Sequence, residues 1–285
     1  MAGLSGAFRG RIGWAIAIVV VFLALASAID FRVAHASLVL GPCGAIVLLV
    51  VARWAGLSWG ELGLGRGTWR RGLVWALGAI GAVAVVLAAG AALPATRSAF
   101  RDTRYHLDAG HALLTAFVLI PLGTVLFEEV AFRGVLWGLI RRGRATWIAT
   151  GVSSALFGLW HVLSSLGLAK SDQAIGSTLG TGTTGQALSV LGTVLFTGLA
   201  GVVFCELRRR SGSLLASVGL HWATNGLAVL AAASIWAWGT RLPRAPARLR
   251  GRSAARAQPS AATIFRMAAS SSGVKPAGCI TACHP

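Results

Sequence analysis

The residues of this sequence best suited to chemistry lie inside long apolar runs. They are ionisable or amide side chains on three successive apolar segments: Glu128, Glu129 and Arg133, then His161, then His221 and Asn225. An ionisable side chain at membrane depth costs from about 2.5 kcal/mol upward, so such residues are generally retained for function. Their types suit a hydrolytic site, in which a carboxylate or imidazole moves protons and an imidazole or amide stabilises an oxyanion.

The spacing within the first group separates two roles. Glu129 and Arg133 are four residues apart, so on a helix they share a face and can pair. Glu128 is one residue earlier, about 100° away round the helix, and has no cation at helical spacing. We therefore predict a structural clamp made by Glu129 and Arg133, and a general base at Glu128.

The second and third groups supply possible partners for Glu128. His221 and Asn225 are one helical turn apart in HxxxN, which suits two donors aimed at one oxyanion; interhelical hydrogen bonding by Asn225 is the alternative. Phe157 precedes His161 by one turn, and we expect it to pack against the imidazole.

The depths of these residues agree. At a rise of about 1.5 Å per residue, Glu128 lies about 20 Å from the Arg141 end of its segment, and His161 lies about 24 Å from Ala145. For His221 and Asn225 the same arithmetic gives about 12–18 Å. Three helices thus bring a carboxylate, two imidazoles and an amide to similar depth in the bilayer.

The elements that must position these residues are apolar segments long enough to cross, or nearly cross, a bilayer. Crossing about 30 Å of hydrocarbon takes about 20 helical residues. The sequence predicts seven such segments: 12–29, 36–55, 72–94, 111–140, 145–168, 186–207 and 213–238. The expected fold is therefore all-α, a polytopic transmembrane helical bundle of about seven spans. A cleaved signal peptide is the alternative for the first segment, because Arg9 and Arg11 precede it and Ala26-Ser27-Ala28 resembles a cleavage site.

Composition supports this organisation. Hydrophobic residues make up 55% of the 285 residues and charged residues 12%, which argues against a soluble globular domain and excludes a disordered chain. We expect residues 1–110 to form N-terminal transmembrane helices, 111–240 a catalytic core, and 241–285, rich in Arg, Ala, Ser and Pro, a disordered basic tail.

The net charge of +18 does not indicate nucleic-acid binding, because the basic residues flank apolar runs. Their distribution instead predicts how the spans are oriented in the membrane. The loops on one side of the predicted spans hold twelve arginines, and those on the other side hold five basic residues together with four aspartates. This bias predicts an integral membrane protein with a cytoplasmic N-terminus. We expect the lipid bilayer as a partner and expect no binding of nucleic acid.

Taken together, EExxxR, FxxxH and HxxxN on successive apolar segments resemble the CPBP (CAAX protease and bacteriocin-processing, ABI) family of intramembrane proteases, which includes the Rce1-type prenyl-protein endopeptidases. The resemblance covers about residues 111–238. It implies that Glu128 and His161 activate a water molecule and that His221 and Asn225 stabilise the oxyanion. Glu129, Arg133 and Phe157 would support the site.

The resemblance also implies a membrane-associated peptide or protein as substrate. We expect no tightly bound metal; a zinc ion held by Glu128, His161 and His221 is the alternative. Two other functions stay open: a non-catalytic family member acting in bacteriocin immunity, and a small proton-coupled transporter.

Overall fold

The structure is a computed structural model and describes residues 6–241. Its backbone is helical, and the described residues contain a single isolated β-bridge, between Asp102 and Asp172. Seven helices of 15 or more residues follow one another in the described part of the chain: α1 (Gly6–Arg32), α2 (Ala36–Trp54), α3 (Trp69–Ala92), α4 (Ala109–Gly143), α5 (Thr146–Trp160), α6 (Thr183–Ser211) and α7 (Leu214–Trp238). The basic tail predicted for 241–285 lies outside the described residues, apart from residue 241.

The all-α polytopic fold is confirmed. Among the described residues, six helices are long and apolar enough to span a membrane, namely all of the seven except α5. The segment predicted at 145–168 is instead a helix of 15 residues that ends at Trp160. The chain then makes turns up to Gly167, whose φ of +91° suits glycine.

Helix α4 is the central element of the bundle. From Phe127 to Ile140 its residues are buried on every side, against α1, α2, α5, α6 and α7. A helix that is buried all round is typical of the core of a large bundle. Side chains on this half of α4 therefore face other helices and not lipid.

Much of α4 is π-helical. One π-helical stretch covers Thr115–Leu119, and a second begins at Pro121, which lacks a backbone N–H and crowds the preceding turn. A third covers Glu129–Leu136. π-Helical turns are rare in proteins overall, and those that occur are often found at functional sites. Here the third stretch carries both Glu129 and Arg133.

Small residues let neighbouring helices approach closely. A Cβ on Gly158 of α5 would lie 2.6 Å from the carbonyl oxygen of Val194 on α6, and one on Gly219 of α7 would lie 2.5 Å from the Cβ of Ala76 on α3. Close backbone approach through small residues is the usual way in which membrane helices associate. These contacts hold α5 against α6 and α7 against α3.

Arginines gather at one end of the bundle, which we call the arginine-rich end. It comprises Arg53, Arg66, Arg70, Arg71, Arg141, Arg142, Arg144, Arg208, Arg209 and Arg210. The loop between α2 and α3 ties this end together. Its Glu61 side chain pairs with Arg142 at 2.6 Å, its Glu61 carbonyl accepts from Arg208 at 2.7 Å, and its Gly63 carbonyl accepts from the Leu214 amide at 2.8 Å.

Candidate active site

The first half of the site is a buried network around Glu129. Its Oε1 lies 3.1 Å from Nη1 of Arg133 and 2.8 Å from Nδ1 of His221. Glu129 and Arg133 are fully buried and His221 nearly so. A carboxylate only accepts hydrogen bonds, so the His221 Nδ1–H donates to Glu129. The residue expected to clamp Arg133 thus also orients His221.

Aromatic rings replace water around the Arg133 guanidinium. Its central carbon lies 3.8 Å from the ring centroid of Phe157 and 4.6 Å from that of Phe204. No nitrogen of this guanidinium makes an aligned hydrogen bond, so the 3.1 Å contact with Glu129 is an ion pair. Desolvated cation–π contacts contribute about 2 kcal/mol or more. They help to offset the cost of burying this charge.

The second half of the site is built on Glu128, whose two oxygens differ. Oε1 accepts a hydrogen bond of 2.8 Å from the indole N–H of Trp160. Oε2 is buried and has no hydrogen-bond partner. It faces Nε2 of His221 at 3.7 Å and Nε2 of His161 at 3.9 Å. One imidazole directly after the end of α5 and one on α7 therefore face the same carboxylate oxygen.

His161 owes its orientation to the end of α5. The His161 amide bonds to the carbonyl of Gly158, so the carbonyl of Phe157 has no partner in the helix. Nδ1 of His161 lies 2.8 Å from that carbonyl oxygen, which can only accept, so Nδ1 carries the proton. The Phe157 ring packs edge-on against the imidazole at 4.7 Å. Nε2 is thereby directed at Glu128.

His221 is held by rings as well as by Glu129. Phe204 stacks on it with ring centroids 5.1 Å apart, and Phe157 meets it edge-on at 5.8 Å. With Nδ1–H given to Glu129, a neutral His221 presents the lone pair of Nε2 to Glu128. It becomes a donor at Nε2 only when it carries a second proton.

Asn225 stands apart from this cluster. It lies in the π-helical turn Ala223–Leu227, is half-buried, and its side chain makes no hydrogen bond with the described part of the chain. The structure therefore brings Glu128, Glu129, Arg133, Phe157, His161 and His221 together, whereas Asn225 makes no contact with them through its amide.

Two residues of the cluster were not expected from the sequence. Trp160 donates to Glu128, and Phe204 contacts both Arg133 and His221. A signal existed for Trp160, because a buried indole N–H usually finds an acceptor and Trp160 is next to His161. None existed for Phe204, which is one of many apolar residues on α6.

An apolar cavity of about 280 Å³ borders the site. It lies between α1 and α5 and includes Trp160 and Phe132, and the other lining residues are Val20, Leu23, Ala24, Ser27, Leu156, Leu159 and Leu163. The indole of Trp160 thus separates an apolar space from Glu128.

The described residues also include His, Cys, Asp and Glu side chains, the types that form metal-binding clusters. Among residues 6–241, no group of three or more His, Cys, Asp or Glu side chains is arranged to hold a metal ion. The alternative of zinc on Glu128, His161 and His221 is therefore not supported by this arrangement.

The fold and site are those of a polytopic helical membrane protein with a polar cluster at its centre. The family model described as Type II CAAX prenyl endopeptidase Rce1-like matches residues 110–227, and this match confirms the resemblance to the CPBP family. No curated protein and no solved structure matches the chain significantly. The matched segment contains every residue of the cluster.

Proposed function

We propose that this protein is an intramembrane endopeptidase of the CAAX prenyl protease type, which cleaves membrane-associated peptides or proteins. The observation that carries the proposal is the free Oε2 of Glu128, faced by two imidazole nitrogens at 3.7 and 3.9 Å. Both distances are too long for a direct hydrogen bond and suit groups that are bridged by a water molecule. The match of residues 110–227 to the Rce1-like family model supports the class of reaction.

In the proposed reaction Glu128 is the general base. Its Oε2 takes a proton from water while the water oxygen attacks the scissile carbonyl carbon. The hydrogen bond from Trp160 to Oε1 leaves Oε2 as the basic oxygen. When the tetrahedral intermediate collapses, the C–N bond breaks and the same proton passes to the leaving nitrogen, directly or by way of Nε2 of His161.

His221 is the first proposed oxyanion donor, because Glu129 holds its Nδ1–H and its Nε2 faces Oε2 of Glu128 at 3.7 Å. In the proposed step an Nε2–H of doubly protonated His221 donates to the oxyanion. The amide of Asn225 is the proposed second donor.

The experiment is a cleavage assay in proteoliposomes with a quenched fluorogenic peptide, in farnesylated and unmodified forms. We expect Glu128→Gln to lower the cleavage rate about 10²–10⁴-fold, the usual contribution of a general base. The midpoint of thermal unfolding should stay at the wild-type value, because glutamine has the shape of glutamate and keeps an oxygen that accepts from Trp160. Glu206→Gln is the matched control: Glu206 pairs with Arg209 and Arg210 outside the site and should leave the rate unchanged.

Retained cleavage in Glu128→Gln would overturn the role of Glu128. A wild-type protein that cleaves neither peptide but supports proton-coupled flux would replace the proposal by a transporter. Absence of both activities would favour a non-catalytic role such as bacteriocin immunity. A preference for the farnesylated peptide would identify prenylated proteins as the substrate class.

A further inference from the structure

An apolar groove of about 350 Å³ lies on the outside of the bundle, between α3 and α6. Four residues of α3 line it, Val74, Trp75, Gly78 and Ala79, together with Leu207 of α6. None of them belongs to the polar cluster. The small residues Gly78 and Ala79 form its floor on α3, and nothing lies within 4 Å of a Cβ on Gly78, so the groove is open there.

Two arginines stand at the end of this groove. Arg70 and Arg71 precede Val74 and Trp75 by one helical turn, so they lie on the same side of α3. Both are exposed, and neither pairs with an acidic side chain in the described part of the chain. They belong to the arginine-rich end.

The nearby acidic residue does not compete for these arginines. Glu206, next to Leu207, is held by Arg209 at 2.7 Å and by Arg210 at 2.5 Å. The end of the groove therefore keeps an excess of positive charge. An apolar channel at hydrocarbon depth that ends in arginines at headgroup depth matches a molecule with an alkyl chain and an anionic head.

We propose that this groove binds one anionic phospholipid. An acyl chain lies against Gly78, Ala79 and Leu207, and the phosphate accepts charge-assisted hydrogen bonds from Arg70 and Arg71. The two unpaired arginines at its end favour an anionic headgroup as the occupant over an uncharged helix. The site is separate from the proposed active site and does not depend on it.

The test is a titration of the purified full-length protein in detergent with dioleoylphosphatidylglycerol, with bound lipids counted by native mass spectrometry. We expect one site that prefers this lipid to dioleoylphosphatidylcholine. In Arg70→Gln/Arg71→Gln the affinity should fall about 30-fold, because each arginine near an anionic lipid contributes about fivefold. Arg141→Gln/Arg144→Gln is the matched control, because it removes two exposed arginines of the same end far from the groove in sequence.

A second variant tests the apolar half. Gly78→Leu places a side chain in the groove and should weaken binding about tenfold, the equivalent of roughly two buried methylenes. Gly13→Leu on α1 is its control, because a Cβ there also meets nothing within 4 Å. Equal affinity for the two lipids, an equal loss in the arginine control, or unchanged affinity in Gly78→Leu would each overturn the proposal.

Discussion

Two carboxylate–arginine pairs use arginines of α4, one in the bundle and one at its end. The pair of Arg142 with Glu61 has the better geometry, with two contacts of 2.6 and 2.7 Å, but both side chains are partly exposed. The pair of Arg133 with Glu129 has one contact of 3.1 Å and is fully buried. Exposed pairs contribute about 0–1 kcal/mol, whereas breaking a buried pair costs about 3–5 kcal/mol.

The comparison shows that burial, more than geometry, decides how much an ion pair matters here. The outer pair joins the loop between α2 and α3 to α4, and water can replace either partner. The inner pair also holds His221, so its loss would change both stability and the direction of a proposed catalytic group.

The largest expected effect is that of Arg133→Met. It leaves Glu129 as a buried charge without its cation, so we expect a loss of about 3–5 kcal/mol of stability, or a protein that does not fold. The matched control is Arg142→Met, on the same helix. The measurement is the thermal midpoint of the purified protein by circular dichroism.

The double variant Glu129→Gln/Arg133→Met keeps the comparison informative if the single variant does not fold. It leaves neither charge buried alone and should recover part of the stability. Equal midpoints for Arg133→Met and Arg142→Met would contradict the ranking of the two pairs.

An intermediate effect is expected for Trp160→Phe, which keeps an aromatic ring and removes the N–H that reaches Oε1 of Glu128. Loss of a hydrogen bond to a charged group costs about 1.5–3 kcal/mol. We expect at least a tenfold lower cleavage rate, and an unchanged KM if the indole acts through Glu128. Trp236→Phe, which loses a hydrogen bond to the carbonyl of Asp102, should keep the wild-type rate. A lower rate in both variants would assign the effect to general destabilisation.

The smallest effect is expected for Glu61→Gln, at about 0.2–1 kcal/mol. Its hydrogen bond with Arg142 lowers the pKa of Glu61 from 4.5 to about 2. A lowered pKa in the folded protein means that the pair stabilises fully above about pH 5 and loses its effect as the pH falls to about 2. The difference in midpoint between wild type and variant should shrink over that range and at 1 M salt. A difference independent of pH would show that the charge of Glu61 plays no part.

Sequence patterns predicted the helices and the clustering of polar residues well, but predicted the individual side-chain contacts less well. Long apolar runs gave the polytopic fold, and the shared depth of Glu128, His161 and His221 indicated that they would meet. The spacing of Glu129 and Arg133 predicted their pair. It could not show that Glu129 also reaches His221, because the two are 92 residues apart and only the packing of α7 against α4 brings them together.

The end of α5 was also beyond the sequence pattern. Hydropathy continues through Val162 and Leu163, so the apolar run exceeds the helix that forms. The helix stops because the His161 amide shifts its bond to Gly158, and the imidazole takes the carbonyl that becomes free. A side chain competing for a backbone carbonyl leaves no signature in hydropathy.

Because α5 is short, we expect the fit of this protein to the bilayer to depend on membrane thickness. Fifteen residues rise about 22 Å, which leaves about 8 Å of hydrocarbon depth to a non-helical chain. Gln186 of α6 makes hydrogen bonds with the backbone of that non-helical segment. Its side chain accepts from the Gly167 amide at 3.1 Å and donates to the Ser165 carbonyl at 3.3 Å. The depth of His161 is therefore set by protein contacts, and lipids with longer acyl chains must compress beside α5 to match it.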